Sequence, residues 1–130
     1  MRPKILVVDD EPDVVELITF NLRARGYDTI TAGNGLEALI QARRFQPALV
    51  VLDVMMDGLD GLSVCEVLRS QVATKSIPVI IVTAAAGEMA RLNSLEAGAA
   101  DFLTKPFSPQ ELARRVGLVL EAARAGATAG

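Results

Sequence analysis

Acidic side chains follow two of the short apolar runs in the sequence, and a threonine and a lysine follow two others. Asp9 and Asp10 come directly after the first run, and Asp53 comes directly after the third. Thr83 follows the fourth run, and Lys105 lies just beyond the fifth. Because parallel strands of an open sheet present their carboxyl ends at one edge, we expect these five side chains to meet there.

Three carboxylates in one place repel one another and raise one another's pKa unless a cation shares the site. Lys105 supplies one positive charge, and a divalent ion could supply the rest. Carboxylate oxygens with retained water are the ligands that Mg²⁺ prefers. The chain has no histidine, and its single cysteine, Cys65, is remote from these acids, so a zinc or copper site is not expected.

A cluster of carboxylates, Mg²⁺ and a lysine is suited to phosphoryl transfer. The transferred group carries negative charge on its equatorial oxygens, which a metal ion and an ammonium can stabilise. An aspartate carboxylate can act as the nucleophile and form an acyl phosphate. Glu11, which follows the first pair of acids, is expected only to favour the macrodipole of the next helix.

Five apolar runs predict the strands that position these residues. Most are continuous rather than alternating and are rich in Val, Ile and Leu, which is typical of strands covered on both faces of a parallel sheet. The second run is the least hydrophobic, so we expect it near an edge of the sheet. The runs are Ile5 to Val8, Thr29 to Ala32, Ala48 to Leu52, Val79 to Val82, and Phe102 with Leu103.

Helical segments separate these runs. The alternation of strands and helices predicts right-handed crossovers and an α/β fold with a doubly wound parallel sheet. Ser108-Pro109-Gln110-Glu111 resembles a capping box with proline at the first helical position. The predicted helices run from Pro12 to a stop at Gly26, from the cap Asn34 to about Phe45, from Leu62 to Ser70, from Glu88 to Ala97, and onward from Pro109.

Composition limits the class of protein. The 130 residues are one domain's worth, expected over residues 1–122, with a flexible tail or the start of a linker at residues 123–130. The net charge of −3 argues against direct nucleic-acid binding by this domain. A single cysteine fits a reducing compartment, and each apolar run is far shorter than the ~20 residues of a membrane helix. We therefore predict a cytoplasmic protein with no membrane association.

Four motifs on these elements carry a resemblance to a known family. In chain order they read KILVVDDEP, LDVMMDGLDG, PVIIVTA and GAADFLTKPFSP. In this order and at this spacing, they make the chain resemble the receiver domains of bacterial two-component response regulators, from Lys4 to about Leu120. The resemblance implies a flavodoxin-like sheet of strand order 2-1-3-4-5, flanked by five helices.

The resemblance also implies a role for each matching residue. Asp53 is similar to the phosphoacceptor of the family. Mg²⁺, or Mn²⁺ in its place, would be held by Asp10, Asp53 and the backbone carbonyl of Met55, with Asp9 bound directly or through water. Lys105 would pair with the phosphoryl oxygens.

The same resemblance implies a read-out of phosphorylation. Thr83 would donate its hydroxyl to the phosphoryl group, and Phe102 occupies the position of an aromatic ring whose rotamer follows that threonine. The Lys105–Pro106 peptide bond would be cis. The function implied is that of a phosphoacceptor signalling switch, which changes the surface of helix 4, strand 5 and helix 5.

The resemblance implies the partners of such a switch. A sensor histidine kinase or a histidine phosphotransfer protein would donate the phosphoryl group, and this donor must be external because the chain lacks histidine. The domain would catalyse only its own phosphorylation and slow dephosphorylation, so it is not expected to be an enzyme.

A homodimer is a further expectation from the resemblance. Charged residues of helix 4, strand 5 and helix 5, with three apolar residues among them, are similar to the dimer face of receivers attached to winged-helix DNA-binding domains. A solvated charged face is the alternative interpretation. The residues are Arg91, Leu92, Leu95, Glu96, Asp101, Glu111, Ala113 and Arg115.

One residue departs from the family pattern, and two others bear on the rate of self-dephosphorylation. Asp57 stands where most receivers have proline, and it adds an acid near the expected site. Met55 and Ala85 occupy the two positions that flank the attacking water in family members. Neither side chain can hydrogen-bond that water, so we predict slow self-dephosphorylation.

Other functions fit the sequence less well. An aspartyl-phosphate hydrolase of the dehalogenase type places its two acids two residues apart, whereas Asp9 and Asp10 are adjacent. A phosphorylation-independent interaction module on the same fold is a third possibility, which the absence of Asp53 or Lys105 would have favoured; both residues are present. A nucleotide-binding protein is disfavoured because no glycine-rich loop follows the first strand.

Overall fold

The fold was obtained as a computed structural model that describes residues 2–54, 60–84 and 87–129. Strands and helices alternate along the described chain, as the sequence predicts. The strands are β1 (Lys4–Val8), β2 (Asp28–Ala32), β3 (Leu49–Asp53), β4 (Val79–Thr83) and β5 (Asp101–Thr104). The helices are α1 (Pro12–Ala24), α2 (Gly35–Phe45), α3 (Gly61–Ser70), α4 (Glu88–Glu96) and α5 (Pro109–Ala129).

The five strands form one parallel sheet of order β2-β1-β3-β4-β5, which confirms the predicted topology. The central strands β3 and β4 are buried along their whole length, because helices cover both faces of the sheet. Strand β2 lies at an edge and is partly exposed, as its lower hydrophobicity predicts.

Successive residues of each strand contribute to two separate cores. Ile5 and Val7 pack in the core that includes residues of α1 and α5, whereas Leu6 and Val8 pack in the core that includes residues of α2 and α3. Since side chains alternate across a strand, a strand that is buried on both faces needs an unbroken apolar run.

Helix ends follow the local signals in the sequence. Pro12 occupies the first position of α1, where its missing N–H breaks no helical bond. The Asn34 side chain accepts a hydrogen bond of 2.9 Å from the N–H of Glu37 and caps α2. Helix α4 ends at Glu96, followed by Ala97 as the cap and by Gly98 at φ +97°, a conformation that glycine adopts without strain.

The capping box of α5 is only half formed. Ser108 Oγ accepts a hydrogen bond of 3.2 Å from the N–H of Glu111, as predicted. The Glu111 carboxylate pairs instead with Arg114 at 2.7 Å and Arg115 at 3.0 Å, whose guanidinium groups offer stronger, charge-assisted hydrogen bonds than a backbone N–H. Hydrogen bonds from these two arginines lower the pKa of Glu111 to about 2.

Helix α5 continues to Ala129, so the backbone of residues 123–129 is helical where the sequence indicates a tail. That this segment begins a linker remains a prediction. None of the helices in the described ranges has both the length and the apolar character needed to cross a membrane.

Candidate functional site

Four strand ends bring the predicted site residues to one edge of the sheet. Asp9 and Asp10 follow β1, Asp53 ends β3, Thr83 ends β4, and Lys105 follows β5. The strand register aligns these ends, because Val8 pairs with Leu52, Asp53 with Val82, and Thr83 with Thr104. The convergence predicted from the apolar runs is therefore present.

Three carboxylates form the acidic part of the site. One carboxylate oxygen from each of Asp9, Asp10 and Asp53 lies within 4.8 Å of the other two. Asp9 and Asp53 are buried, with 4% and 3% of their surface exposed, whereas Asp10 is exposed. An all-oxygen set with one open side suits a hard, partly hydrated cation such as Mg²⁺.

The Lys105 ammonium lies between the two buried carboxylates. Lys105 Nζ is 3.0 Å from Asp9 Oδ2 and 3.3 Å from Asp53 Oδ2. Burial of the side chain, which is only 17% exposed, would lower the pKa of Lys105. The hydrogen bonds and negative charges of Asp9 and Asp53 outweigh that effect and raise the pKa, so the ammonium stays charged.

The backbone around Lys105 is also fixed. Its N–H donates a hydrogen bond of 2.7 Å to the carbonyl of Thr83, which ties the end of β5 to the end of β4. The Lys105–Pro106 peptide bond is cis, as predicted.

Glu11 belongs to this site, although the sequence indicated only a role at the start of α1. Its carboxylate oxygen Oε1 lies 3.8 Å from Lys105 Nζ, and its backbone N–H donates a hydrogen bond of 2.9 Å to Asp9 Oδ1. The Glu11 side chain makes no capping hydrogen bond, so the expected helix-end role does not describe its contacts fully. Its place directly after the acidic pair was the available signal.

Gly61 lies against the backbone of Asp53 and Val54. A Cβ at position 61 would lie 2.5 Å from the carbonyl oxygen of Asp53 and 2.5 Å from Cα of Val54, so only glycine fits. Its neighbour Asp60 caps α3 by accepting a hydrogen bond of 3.0 Å from the N–H of Ser63, and that bond lowers the pKa of Asp60. The Asp-Gly pair therefore fixes the chain beside the acceptor strand.

The residues predicted to read out phosphorylation lie beside the acidic cluster or in the adjoining core. Thr83 is buried, and Phe102 is half-buried against the core that includes residues of α2 and α3. Their roles stay predictions. Met55, Asp57 and Ala85 lie outside the described residues.

The predicted dimer face is only partly available on the surface. Leu92 and Leu95 are exposed, and Arg115 Nη1 pairs with Asp101 Oδ1 at 2.9 Å within the chain. Ala113 is 2% exposed and packs with Leu112 in the core under α5. Ala113 therefore offers little surface to a partner, and its place in the dimer face stays a prediction.

Known proteins match both the sequence and the fold. Residues 5–117 match the family model of the response regulator receiver domain. The chain is 48% identical over 120 residues to the alkaline phosphatase synthesis transcriptional regulatory protein PhoP of Bacillus subtilis, covering 92% of this chain and 49% of that protein. It is 44% identical over 116 residues to the DNA-binding response regulator MtrA of Mycolicibacterium smegmatis, covering 89% of this chain and 50% of that protein. The chain thus spans about half the length of these relatives.

Solved structures give the same result. The receiver domain of the Francisella response regulator 1452 superposes with a TM-score of 0.87 at 36% identity, covering 93% of this chain and 98% of that one. The Vibrio cholerae chemotaxis protein CheY4 superposes with a TM-score of 0.86 at 28% identity, covering 92% and 99%. The chain belongs to the response regulator receiver domain family, and it is a phosphoacceptor switch of two-component signalling.

Proposed function

We propose that Asp53 accepts a phosphoryl group from a phosphohistidine on a sensor kinase or a phosphotransfer protein. The observation that carries this proposal is the position of the Asp53 carboxylate. It is buried at the carboxyl end of a central strand, 3.3 Å from the Lys105 ammonium. A nucleophile held beside a fixed cation is the arrangement that phosphoryl transfer requires.

The proposed transfer is a displacement at the phosphorus atom of the donor. An Asp53 carboxylate oxygen attacks the phosphorus atom, and the bond from phosphorus to the donor imidazole nitrogen breaks. The imidazole nitrogen keeps the electron pair of that bond, and Asp53 becomes an acyl phosphate. The Lys105 ammonium offsets negative charge on the phosphoryl oxygens.

The acidic cluster fits Mg²⁺ on the chemistry of its donors. Asp9, Asp10 and Asp53 would hold the ion together with the backbone carbonyl of Met55, and Mn²⁺ would substitute for it. The bound ion would neutralise charge on the phosphoryl group. Lys105 alone leaves the three carboxylates with excess negative charge, which supports a second cation in the site.

The proposed output is a change in the surface formed by α4, β5 and α5. The Thr83 hydroxyl would donate a hydrogen bond to the phosphoryl group, and the Phe102 ring would change its rotamer in response. This change would promote homodimerisation through that surface. The domain would be a signalling module whose only catalysis is on itself.

The longer relatives suggest how the switch is used. The B. subtilis and mycobacterial proteins are described as a transcriptional and a DNA-binding regulator, respectively. We infer that residues 1–122 act as the receiver and residues 123–130 begin a linker to an effector region in a cytoplasmic regulator. The receiver itself would not touch nucleic acid.

Intact-mass measurement after incubation with acetyl phosphate and Mg²⁺ tests the proposal. The wild type is expected to gain the mass of one phosphoryl group, and Asp53→Asn is expected to gain none. An equal adduct on both proteins would contradict the assignment of Asp53. No adduct on either protein would contradict the phosphoacceptor function of this site.

A further inference from the structure

Glu11 contacts the Lys105 ammonium, but its carboxylate is exposed, unlike the buried carboxylates of Asp9 and Asp53. Its Oε1 lies 3.8 Å from Lys105 Nζ, which also contacts Asp9 and Asp53. The Glu11 side chain is 66% exposed, so it stands at the solvent side of this ammonium. Three carboxylates therefore share one ammonium before any phosphoryl group arrives.

A cleft adjoins this contact. It has a volume of about 440 Å³ and lies between α1 and the chain that follows β5. Val14, Leu17 and Phe107 contribute apolar walls, and Glu11 and Lys105 are the charged residues among its described lining. A small phosphodonor that reached Lys105 along this cleft would meet the Glu11 carboxylate.

We propose that Glu11 is a specificity-determining residue that disfavours strongly anionic free phosphodonors. Its carboxylate competes with an incoming phosphoryl oxygen for the Lys105 ammonium and adds negative charge at the mouth of the site. Donors with less negative charge meet less repulsion, so Glu11 favours them. This inference rests on the proposed phosphorylation of Asp53.

Two small donors of different charge give the test. In both reactions an Asp53 oxygen attacks phosphorus. Acetyl phosphate releases acetate, which keeps the electron pair of the broken P–O bond. Phosphoramidate carries less negative charge and releases ammonia, which keeps the pair of the P–N bond and takes up a proton from water.

The variants are Glu11→Gln, which removes the charge, and Glu11→Asp, which keeps it. Gln is a mild change, because the Glu11 side chain makes no capping hydrogen bond. The matched control is Glu16→Gln, an exposed acid of α1, the helix that Glu11 precedes, and one that makes no ion pair within the described part of the chain. Initial rates are measured by intact mass at Mg²⁺ concentrations where each rate no longer depends on the ion.

Glu11→Gln is expected to raise the rate with acetyl phosphate by about three- to tenfold at low ionic strength, and the rate with phosphoramidate by about twofold or less. High salt should shrink the first effect, because it screens exposed charges. Glu16→Gln is expected to stay within about twofold of the wild type, because the charge removed there does not contact Lys105. Glu11→Asp keeps the charge on a shorter side chain, so its rate with acetyl phosphate is expected to lie between those of the wild type and Glu11→Gln.

Three results would overturn the inference. Equal rates for the wild type and Glu11→Gln would show that the charge has no effect on the donor. An equal increase for both donors would point to a structural effect instead of donor charge, and an equal increase in Glu16→Gln would remove the role of the Lys105 contact. If the wild type forms no adduct at all, the proposed function itself fails, and this inference fails with it.

Discussion

At the scale of single residues, charge balance around Lys105 is the central feature of the site. Lys105 Nζ contacts both buried carboxylates, at 3.0 Å for Asp9 and 3.3 Å for Asp53. A buried acid that loses its cation must be paired again or protonated. Lys105 therefore compensates part of the negative charge of these acids before any phosphoryl group is bound.

Lys105→Met tests this balance. We expect the free energy of unfolding, measured by urea denaturation at neutral pH without Mg²⁺, to fall by about 1–3 kcal/mol. Lys75→Met, at an exposed position on the loop before β4, is the control and should change little. Equal stability of Lys105→Met and the wild type would contradict a charge-balancing role.

The pH dependence of this difference has a defined sign. The pKa of Lys105 is raised in the folded state above its ordinary value of 10.5. The stabilisation is therefore complete below pH 10.5 and is lost as the pH rises through the raised value. The stability gap between the wild type and Lys105→Met should be constant near neutral pH and should narrow in strongly alkaline solution.

Cys65 gives a second prediction at this scale. Its side chain is fully buried in the core, and burial raises the pKa of the thiol to about 11. Since the thiolate is the reactive form, a disulfide reagent at pH 8 should modify the folded protein far more slowly than the urea-unfolded protein. Comparable rates in the two states would mean that Cys65 is accessible.

At the scale of elements, the sequence predicted the fold well because its signals were local and repeated. Continuous Val, Ile and Leu runs indicated the buried strands, and Asn34 and Pro12 marked helix starts. The half-formed box at Ser108 was not predictable, because it depends on competition between Arg114, Arg115 and a backbone N–H for one carboxylate.

The residues of the site could be predicted from the sequence, but the contacts between them could not. Asp9, Asp53 and Lys105 could be predicted because they lie at or just after strand ends, and the strand order of a parallel sheet determines which ends are neighbours. The Glu11–Lys105 contact and the burial of Ala113 depend on how α1 and α5 pack against the sheet. A single sequence does not specify those distances.

Gly61→Ala tests the close approach of the start of α3 to the end of β3. The new Cβ would lie 2.5 Å from the Asp53 carbonyl oxygen, so backbone must shift, and we expect a loss of about 1–3 kcal/mol in unfolding free energy. Gly33→Ala is the matched control, because a Cβ there meets nothing within 4 Å. Equal thermal melting of the two variants would contradict the close approach.

At the scale of the whole molecule, the site and the surface of α4, β5 and α5 are joined through strand ends. The Lys105 N–H bond to the Thr83 carbonyl links β5 to β4, and Asp101 at the start of β5 pairs with Arg115 on α5. These bonds connect the end of β4 to β5 and β5 to α5, and the proposed output would use these connections.

Sedimentation tests the proposed change of assembly. The protein with Mg²⁺ and beryllofluoride, a stand-in for the phosphoryl group, is expected to sediment as a dimer at concentrations where the protein without them is monomeric. Leu95→Asp, on the exposed side of α4, should weaken that dimer, whereas Leu118→Asp, an exposed position of α5 outside the predicted face, should not. Identical sedimentation with and without beryllofluoride would contradict phosphorylation-promoted dimerisation.

The lifetime of the modified protein tests the slow hydrolysis predicted from Met55 and Ala85. With the phosphodonor removed and no phosphatase present, loss of the adduct by intact mass should be slow. An adduct that disappears within seconds would contradict that prediction.

Locating the phosphoryl group on the chain tests the central claim most directly. The phosphorylated protein is reduced with borohydride, which converts an aspartyl phosphate to homoserine, and the digested peptides are sequenced by mass spectrometry. The site described here predicts homoserine at position 53 and unchanged aspartate at positions 9 and 10. Homoserine at either of those two positions, or its absence from position 53, would contradict Asp53 as the acceptor.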